Sequence, residues 1–172
     1  GTPIVFLQNT TGFIVGRASE EAGMIKHGAK MIQALSNSQV PHITLHCGAS
    51  FGAGNYGMCG RAFHPRFCFS WPNARSAVMG GEQAATTLDI VARQQAERSG
   101  KPVDEARLQA QKTEIVGLFD SQASAFYTSG HLLDDGIIDP RQTREVLSLL
   151  LATVREAAAR TPHAMQFAVP RF

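Results

Sequence analysis

Residues 48–61, which read GASFGAGNYGMCGR, form the segment of this sequence whose composition most suggests chemistry. The segment follows a predicted strand and leads into a predicted helix. A glycine-rich turn in that position leaves backbone N–H groups without partners, and the helix dipole adds to their positive potential. Such groups bind a phosphate or the oxyanion that develops on a reacting carbonyl. A third explanation is that the glycines only allow the helix to pack tightly on the strand.

The phosphate explanation has the least support. Residues 52–57 match the pattern G-x-G-x-x-G, but no acidic residue about 20 positions later ends a second strand. The phosphate-loop pattern G-x-x-x-x-G-K-[ST] is missing from residues 48–60. An oxyanion site and tight packing therefore remain the two main interpretations.

The glycine segment offers few reactive side chains. Ser50 does not lie in a G-x-S-x-G elbow, and Cys59 is the only nucleophile close to the glycines. Residues 48–60 contain no Asp or Glu. The segment therefore resembles a stabiliser of charge without its own acid or base, which suits a reaction whose reagent brings its own base.

Composition limits the other functions. The net charge of +2 is too small to suggest nucleic-acid binding, and no apolar run reaches the roughly 18–20 residues that span a bilayer. Three widely spaced cysteines, Cys47, Cys59 and Cys68, and six dispersed histidines predict neither a disulfide framework nor a metal site. Because the sequence starts directly with the apolar run at residues 4–7 and has no initiator Met, we expect a piece of a longer chain.

The elements that must position the glycine segment alternate between strands and helices, which predicts an α/β class with parallel pairing. A polar helix is expected over residues 104–119, and Asp139 with Pro140 predicts the start of the last helix. Ser19 is expected to cap a helix whose buried stripe is Ala22, Ile25, Ala29, Ile32 and Leu35. Strands are expected at residues 4–7, 43–47, 67–71 and 136–138.

Five stretches together resemble the C-terminal domain of the carboxyltransferase (β-type) subunit of biotin-dependent acyl-CoA carboxylases, in the methylcrotonyl-CoA and geranyl-CoA branch. The resemblance covers nearly the whole chain and is most specific in the glycine and tryptophan segments. The five stretches are residues 6–17, 26–31, 52–61, 71–85 and 134–140.

The resemblance implies an α/β, crotonase-like (ClpP/crotonase) fold, a ββα spiral. It implies that residues 1–172 are the C-terminal carboxyltransferase domain and that the N-terminal domain is absent from this chain. In the family, carboxybiotin arrives on a carrier, and backbone amides of the C-terminal domain stabilise the biotin enolate while the carboxyl group passes to an acyl-CoA. A second oxyanion hole lies in the N-terminal domain.

By motif position, the resemblance assigns the biotin-side oxyanion hole to the backbone amides of Ala53 and Gly54. Tyr56 lies where related subunits discriminate between acyl groups, with core packing as the alternative, and residues 11–13 either line the same cleft or form a structural turn. The implied substrate-binding residues are Gly52, Tyr56, Thr11, Gly12 and Phe13.

The implied cofactors are biotin, as carboxybiotin on the carrier domain of a partner subunit, and the acyl-CoA substrate, with no metal in this domain. The implied partners are the N-terminal carboxyltransferase domain, an α subunit with biotin carboxylase and biotin carrier functions, and further β subunits in a hexamer. Neither nucleic acid nor a membrane is implied. The expected location is the bacterial cytoplasm or, in a eukaryote, the mitochondrial matrix.

The substrate that we expect is an α,β-unsaturated branched acyl-CoA, 3-methylcrotonyl-CoA before geranyl-CoA, and a propionyl- or acetyl-CoA-type carboxylase is a further alternative. Two other classes stay open. A crotonase-fold hydratase or hydrolase would need an acidic residue at the glycine turn, and a non-catalytic assembly domain would not need the turn.

Overall fold

The computed structural model describes residues 1–100 and 102–161 of the chain. The chain divides into two compact units, Gly1–Pro140 and Arg141–Phe172. The first unit contains a four-stranded sheet in which every strand pair is parallel, which confirms the predicted α/β class. Its strands are β1 (Ile4–Thr10), β2 (His42–Phe51), β3 (Phe67–Ser70) and β4 (Arg75–Ala77).

Strand β2 organises the sheet. It pairs with β1 along most of its length, with β3 over its first half and with β4 over its last residues. Its side chains Ile43 and Leu45 are at most 1% exposed, as expected for a strand that is covered on both faces. The strand continues to Phe51, beyond the predicted end at residue 47, so the first residues of the glycine segment belong to the sheet.

Seven helices complete the described part of the chain, and α4 and α5 pack closely on each other. A Cβ atom at Gly81 would lie 3.2 Å from the backbone of Val116. The polar helix predicted over residues 104–119 is α5, and Asp104 caps it, since its carboxylate accepts from the Arg107 N–H at 3.0 Å. The helices are α1 (Arg17–Glu21), α2 (Met24–Asn37), α3 (Gly52–Gly57), α4 (Gly81–Ser99), α5 (Glu105–Ala123), α6 (Ala125–Gly130) and α7 (Thr143–Ala159).

The predicted stripe on the first helix is largely wrong. Ser19 lies inside the short α1, and Gly23 in the left-handed conformation separates α1 from α2. The buried residues of α2 are Gly28 and Leu35, whereas Ile25 is 79% exposed. The break at Gly23 takes only Ala22 out of phase, since the other four stripe residues lie within α2. The described residues leave Ile25 and Ala29, near the start of α2, uncovered.

Two further elements differ from their predictions. Residues 136–138 form a single parallel bridge from Ile137 to Ser70 instead of a strand. In the second unit, α7 begins at Thr143, after a 3-10 turn at Pro140–Gln142, and not at residue 139. Residues 162–172, which the predicted domain includes, lie outside the described residues.

Candidate functional site

The glycine segment forms the short helix α3 directly after β2. Gly52 begins the helix with a φ of +53°, and a Cβ atom there would lie 2.9 Å from the Val78 carbonyl oxygen, so only glycine fits. Ala53 is exposed and Gly54 is buried. Because α3 has six residues, less than two turns, its dipole is small. It therefore does not add the positive potential that the sequence predicted for the N–H groups of this turn. What the turn offers is N–H groups that have no acceptor inside the helix.

The connection after β1 lies directly against α3. A Cβ atom at Gly54 would lie 2.9 Å from the Thr10 hydroxyl oxygen and 3.0 Å from the Gly12 Cα. The Gly12 N–H donates to the Thr10 hydroxyl oxygen at 3.3 Å, which folds this connection back on itself. The structure therefore brings the predicted residue Gly12 next to Gly54, and Thr11 and Ala53, which are exposed, directly adjoin these two glycines in the chain.

Phe13 anchors that connection. Its ring lies between α2 and α3, so that a Cβ atom at Gly28 would be 3.3 Å from the Phe13 Cζ and one at Gly57 would be 3.0 Å from it. These two glycines leave the room that the ring occupies. Phe13 has a packing role, and its predicted contact with substrate stays a prediction.

Tyr56 projects from α3 and is 46% exposed. Its ring meets Phe63 edge to face, with 6.0 Å between the ring centroids. Core packing, the alternative explanation of Tyr56, does not account for so much exposure. The predicted role of Tyr56 in an acyl pocket stays a prediction.

Three polar side chains, the buried Gln8 and Ser50 and the half-buried Asn55, connect α3 to the sheet, and we call them the Gln8 cluster. The Asn55 amide donates to the Ser50 hydroxyl at 2.7 Å, and the Ser50 hydroxyl donates to the side-chain oxygen of Gln8. The Gln8 amide then donates to the Met58 carbonyl at 2.7 Å, just after α3 ends. Gln8 and Ser50 are both 0% exposed. The cluster is thus a chain of hydrogen bonds that runs from the middle of α3 through β2 and β1 to the residue that follows α3.

A bulge between β1 and β2 makes the cluster possible. Gln8 pairs with His46 and Thr10 pairs with Ser50, so β2 has two more residues than β1 between these pairs. The Asn9 side chain fills the bulge, where it accepts from the Ala49 N–H at 3.1 Å. Sequence reasoning missed the cluster because it ended the first strand at residue 7, whereas β1 continues to Thr10. The available signal was that Gln8 directly continues an apolar strand.

A second buried set, the His46 chain, runs from Cys68 through His46 and Ser70 to Asp134. Ser70 donates to the Asp134 carboxylate at 2.6 Å, and a hydroxyl has only one proton to donate. The His46 Nδ1, at 3.2 Å from the Ser70 oxygen, is therefore the donor of that bond. The His46 Nε2 is left to face the Cys68 sulfur at 3.9 Å. Asp134 also accepts from the Gly136 N–H at 3.0 Å.

The His46 chain contains the residue types of a hydrolase triad but not its geometry. The serine lies between the histidine and the carboxylate, whereas a nucleophilic serine must present its oxygen to substrate. Ser70 is 1% exposed, and His46 and Asp134 are each 4% exposed. Burial lowers the pKa of His46, although the Asp134 charge opposes this. Burial, with the charges of Asp134 and Asp135, raises the pKa of Cys68 to about 12.

The remaining candidates for chemistry are weak. Cys59 is 0% exposed, and burial raises the pKa of its thiol, so it does not suit a nucleophile. Arg61 forms an ion pair with Asp135 at 2.9 Å. Within residues 1–100 and 102–161, no three His, Cys, Asp or Glu side chains lie together as a metal site would require. In the same part of the chain, every helix is too short or too polar to cross a membrane.

Comparison with protein families gives a match over residues 1–167 to the carboxyl transferase domain. The chain belongs to this family. A relative, the probable biotin-dependent acyl-coenzyme A carboxylase beta2 subunit of Mycobacterium tuberculosis, is 56% identical over 89% of the chain and 29% of its own length. The probable mitochondrial methylcrotonoyl-CoA carboxylase beta chain of Drosophila melanogaster is 50% identical over 87% of the chain and 26% of its own length.

Solved structures of carboxyltransferase subunits share the fold. The beta subunit of the geranyl-CoA carboxylase of P. aeruginosa superposes with a TM-score of 0.88 at 49% identity, over 99% of the chain and 32% of that subunit. The transcarboxylase 12S subunit, solved as a hexamer with hydrolysed methylmalonyl-coenzyme A bound, gives a TM-score of 0.72 at 28% identity, over 98% of the chain and 30% of that subunit. The predicted crotonase-like fold is confirmed. The carboxyl transferase chain spans less than a third of the length of these relatives.

Proposed function

We propose that this chain is the C-terminal carboxyltransferase domain of a biotin-dependent acyl-CoA carboxylase β subunit, and that its glycine turn binds the biotin end of the reaction. The observation that carries the proposal is the meeting of two connections, where Gly54, which directly follows the exposed Ala53, lies against Thr10 and Gly12. Oxyanion stabilisation requires donors that are already in place before charge develops. The N–H groups of Ala53 and Gly54 are such donors.

The residues present fit carboxybiotin. The turn offers backbone donors, and the missing Cβ atoms of Gly52 and Gly54 let the turn lie directly against the Val78 carbonyl and against Thr10 and Gly12. Bound carboxybiotin supplies the carboxyl group and, after giving it up, the base for the acyl-CoA proton. The chain itself has to bind, orient and stabilise charge, which agrees with the absence of Asp and Glu from residues 48–60. A hydratase or hydrolase would need an acidic residue there.

The acyl group in this proposal is a branched α,β-unsaturated one, 3-methylcrotonyl first, with Tyr56 on the wall of its pocket. The 50% identity to a methylcrotonoyl-CoA carboxylase chain supports this substrate. Geranyl-CoA is the second candidate, because the subunit that superposes with a TM-score of 0.88 comes from a geranyl-CoA carboxylase. The values of kcat/KM for the two acyl-CoAs, measured on the complete enzyme, decide between them.

The partners in this proposal are an N-terminal carboxyltransferase domain, a biotin-carrying α subunit and further β subunits in a hexamer. The hexamer of the transcarboxylase 12S subunit supports the assembly. Apolar side chains near the glycine turn support the domain contact, since Ile14 is 69% and Val15 is 84% exposed directly after Phe13. The compartment follows that of the relatives, a bacterial cytoplasm or the mitochondrial matrix.

Replacing Ala53 by proline in the complete β subunit tests the oxyanion assignment. Proline removes one N–H group and is tolerated in the first turn of a helix. We expect kcat to fall about 10²–10³-fold, the loss typical of one missing oxyanion donor. The control Ala53→Ser keeps the N–H and should retain activity within a few-fold.

An Ala53→Pro enzyme that assembles normally and turns over like the wild type would place the oxyanion hole elsewhere. Gly54→Val is a less clean test, because its Cβ atom would lie 3.0 Å from the backbone of Gly12 and would disturb the adjoining connection as well as the site.

A further inference from the structure

The helix that carries the candidate donors is too short to hold its own direction. It has six residues, and no side chain caps its N-terminus. Isolated helices of this length are unstable because nucleation costs more than so few hydrogen bonds return. Some other contact must therefore fix the direction in which the N–H groups of Ala53 and Gly54 point.

We propose that Asn55 is the residue that positions these amides, acting through the Gln8 cluster; the inference rests on the function proposed above. Asn55 directly follows Gly54, so its side chain and the donor amides belong to one turn of helix. The hydrogen bond to Ser50 fixes that turn to β2, and the bond from Gln8 to Met58 fixes the end of the helix to β1. Asn55 touches neither substrate nor biotin in this proposal.

The directions of these hydrogen bonds are fixed by the single proton of the Ser50 hydroxyl. Ser50 donates that proton to the Gln8 oxygen, so it can only accept a hydrogen bond from Asn55. The Asn55 amide nitrogen meets that requirement at 2.7 Å. An aspartate of the same shape cannot donate there, so Ser50 would have to turn its proton away from Gln8. Losing the hydrogen bond from Asn55 to Ser50 thus also weakens the bond from Ser50 to Gln8, so α3 is held less firmly to both β1 and β2.

Gly60 also lies directly against Asn55, beside the contacts that Asn55 makes through the Gln8 cluster. A Cβ atom at Gly60 would lie 1.8 Å from the Asn55 side-chain oxygen, although the Gly60 φ of −65° suits any residue. The Gly60 N–H also donates to the Asn55 backbone carbonyl at 2.8 Å. Gly60→Ala should therefore displace the Asn55 amide while Asn55 itself stays unchanged, which gives a second and independent variant.

The test compares Asn55→Asp and Gly60→Ala with Ser70→Ala in the complete β subunit assembled with its α subunit. Ser70→Ala is the matched control because it also deletes a buried hydrogen bond next to β2 but lies in the His46 chain. For the first two variants we expect kcat, per folded molecule, to fall about ten- to a hundred-fold, part of the loss for a removed oxyanion donor. The KM for acyl-CoA should change less than about threefold, because Asn55 touches no substrate in this proposal.

Amide hydrogen exchange measured on the same proteins provides a readout that does not depend on catalysis. Exchange at residues 52–57 should rise at least about tenfold in Asn55→Asp and Gly60→Ala, and it should stay near the wild-type rate in Ser70→Ala. Equal kcat losses in Asn55→Asp and Ser70→Ala, or unchanged exchange at residues 52–57, would overturn the positioning role. The oxyanion assignment is tested separately, since Ala53→Pro can abolish turnover even when the Asn55 variants leave it intact.

Discussion

The Gln8 cluster and the His46 chain are both buried and both attached to β2, yet they are built from different chemistry. The Gln8 cluster, at the carboxyl end of the strand, consists of two amides and a hydroxyl and holds no titratable group. The His46 chain, in the middle of the strand, contains a thiol, an imidazole and a carboxylate. The first reaches the backbone of the candidate site, and the second reaches the turn at residues 134–136.

The two regions differ in whether they contain charged groups, and this difference follows from their roles. A site that stabilises developing negative charge is best supported by neutral groups, since a fixed carboxylate beside it would oppose that charge. The His46 chain can include Asp134 because its hydrogen bonds join β2 and β3 to the segment after α6, and none of them ends on α3. The residue types alone, Ser, His and Asp, would have suggested the opposite division of roles.

The largest effect that separates the two regions is expected from Asp134→Ala. The carboxylate accepts two hydrogen bonds, from Ser70 and Gly136, and each bond to a buried charged group contributes about 1.5–3 kcal/mol. We expect the free energy of unfolding to fall by about 3 kcal/mol, measured by urea unfolding of the chain with Trp71, its single tryptophan, as the fluorescent probe.

The matched control for this variant is Asp134→Asn, which keeps one acceptor and should lose less stability. In the complete enzyme, folded Asp134→Ala protein should keep the wild-type kcat. A large loss of kcat in folded protein would instead connect the His46 chain to the site.

The second effect concerns pH. The folded-state pKa of His46 lies below its ordinary value of 6.5, so protonation favours the unfolded chain. Stability is then fully present above pH 6.5 and decreases as the pH falls below that value, by at most about 1.4 kcal/mol per pH unit for one proton. Urea unfolding between pH 7.5 and about 5 should show this decrease.

His46→Asn keeps a donor near the position of Nδ1 but cannot titrate, so the decrease below pH 6.5 should become shallower. Burial also lowers the pKa of His42, which keeps its own share in the variant. His27, which is exposed, supplies the control His27→Asn. An unchanged pH profile in His46→Asn would show that the imidazole does not carry the acid sensitivity.

The smallest expected effect is the change in stability when one of two helical glycines, Gly57 or Gly117, is replaced by alanine. Gly57→Ala places a Cβ atom 3.0 Å from the Phe13 ring and should cost about 1 kcal/mol through overpacking. Gly117→Ala in α5 meets no atom within 4 Å and should raise stability by about 0.5–1 kcal/mol, because alanine loses less entropy in a helix. Urea midpoints of the two variants that move in the same direction would contradict the account of Phe13 packing.

Much of the site could be predicted from the sequence, because its motif is local. The glycine segment after a strand, the lack of an acidic residue in it and the order of the five family stretches were sufficient to propose Ala53 and Gly54 as donors. Local capping was less readable, because Ser19, a predicted cap, lies inside α1 and the last helix begins after Gln142 rather than after Asp139. The sequence did not show how much of a helix face is covered, since Ile25 and Ala29 belong to the predicted stripe of α2 but are exposed.

The sequence by itself determined the family, the α/β class and the turn at which chemistry is expected, since these depend on residue types at short spacing. Only the tertiary structure decided what holds that turn. Gln8 and Asn55 are 47 positions apart, and a bulge in the pairing of β1 with β2 lets Ser50 join them. The spacing of residue types in a sequence does not predict a bulge or the direction in which a hydroxyl group donates its proton. Both are set by which backbone and side-chain groups meet when the sheet forms.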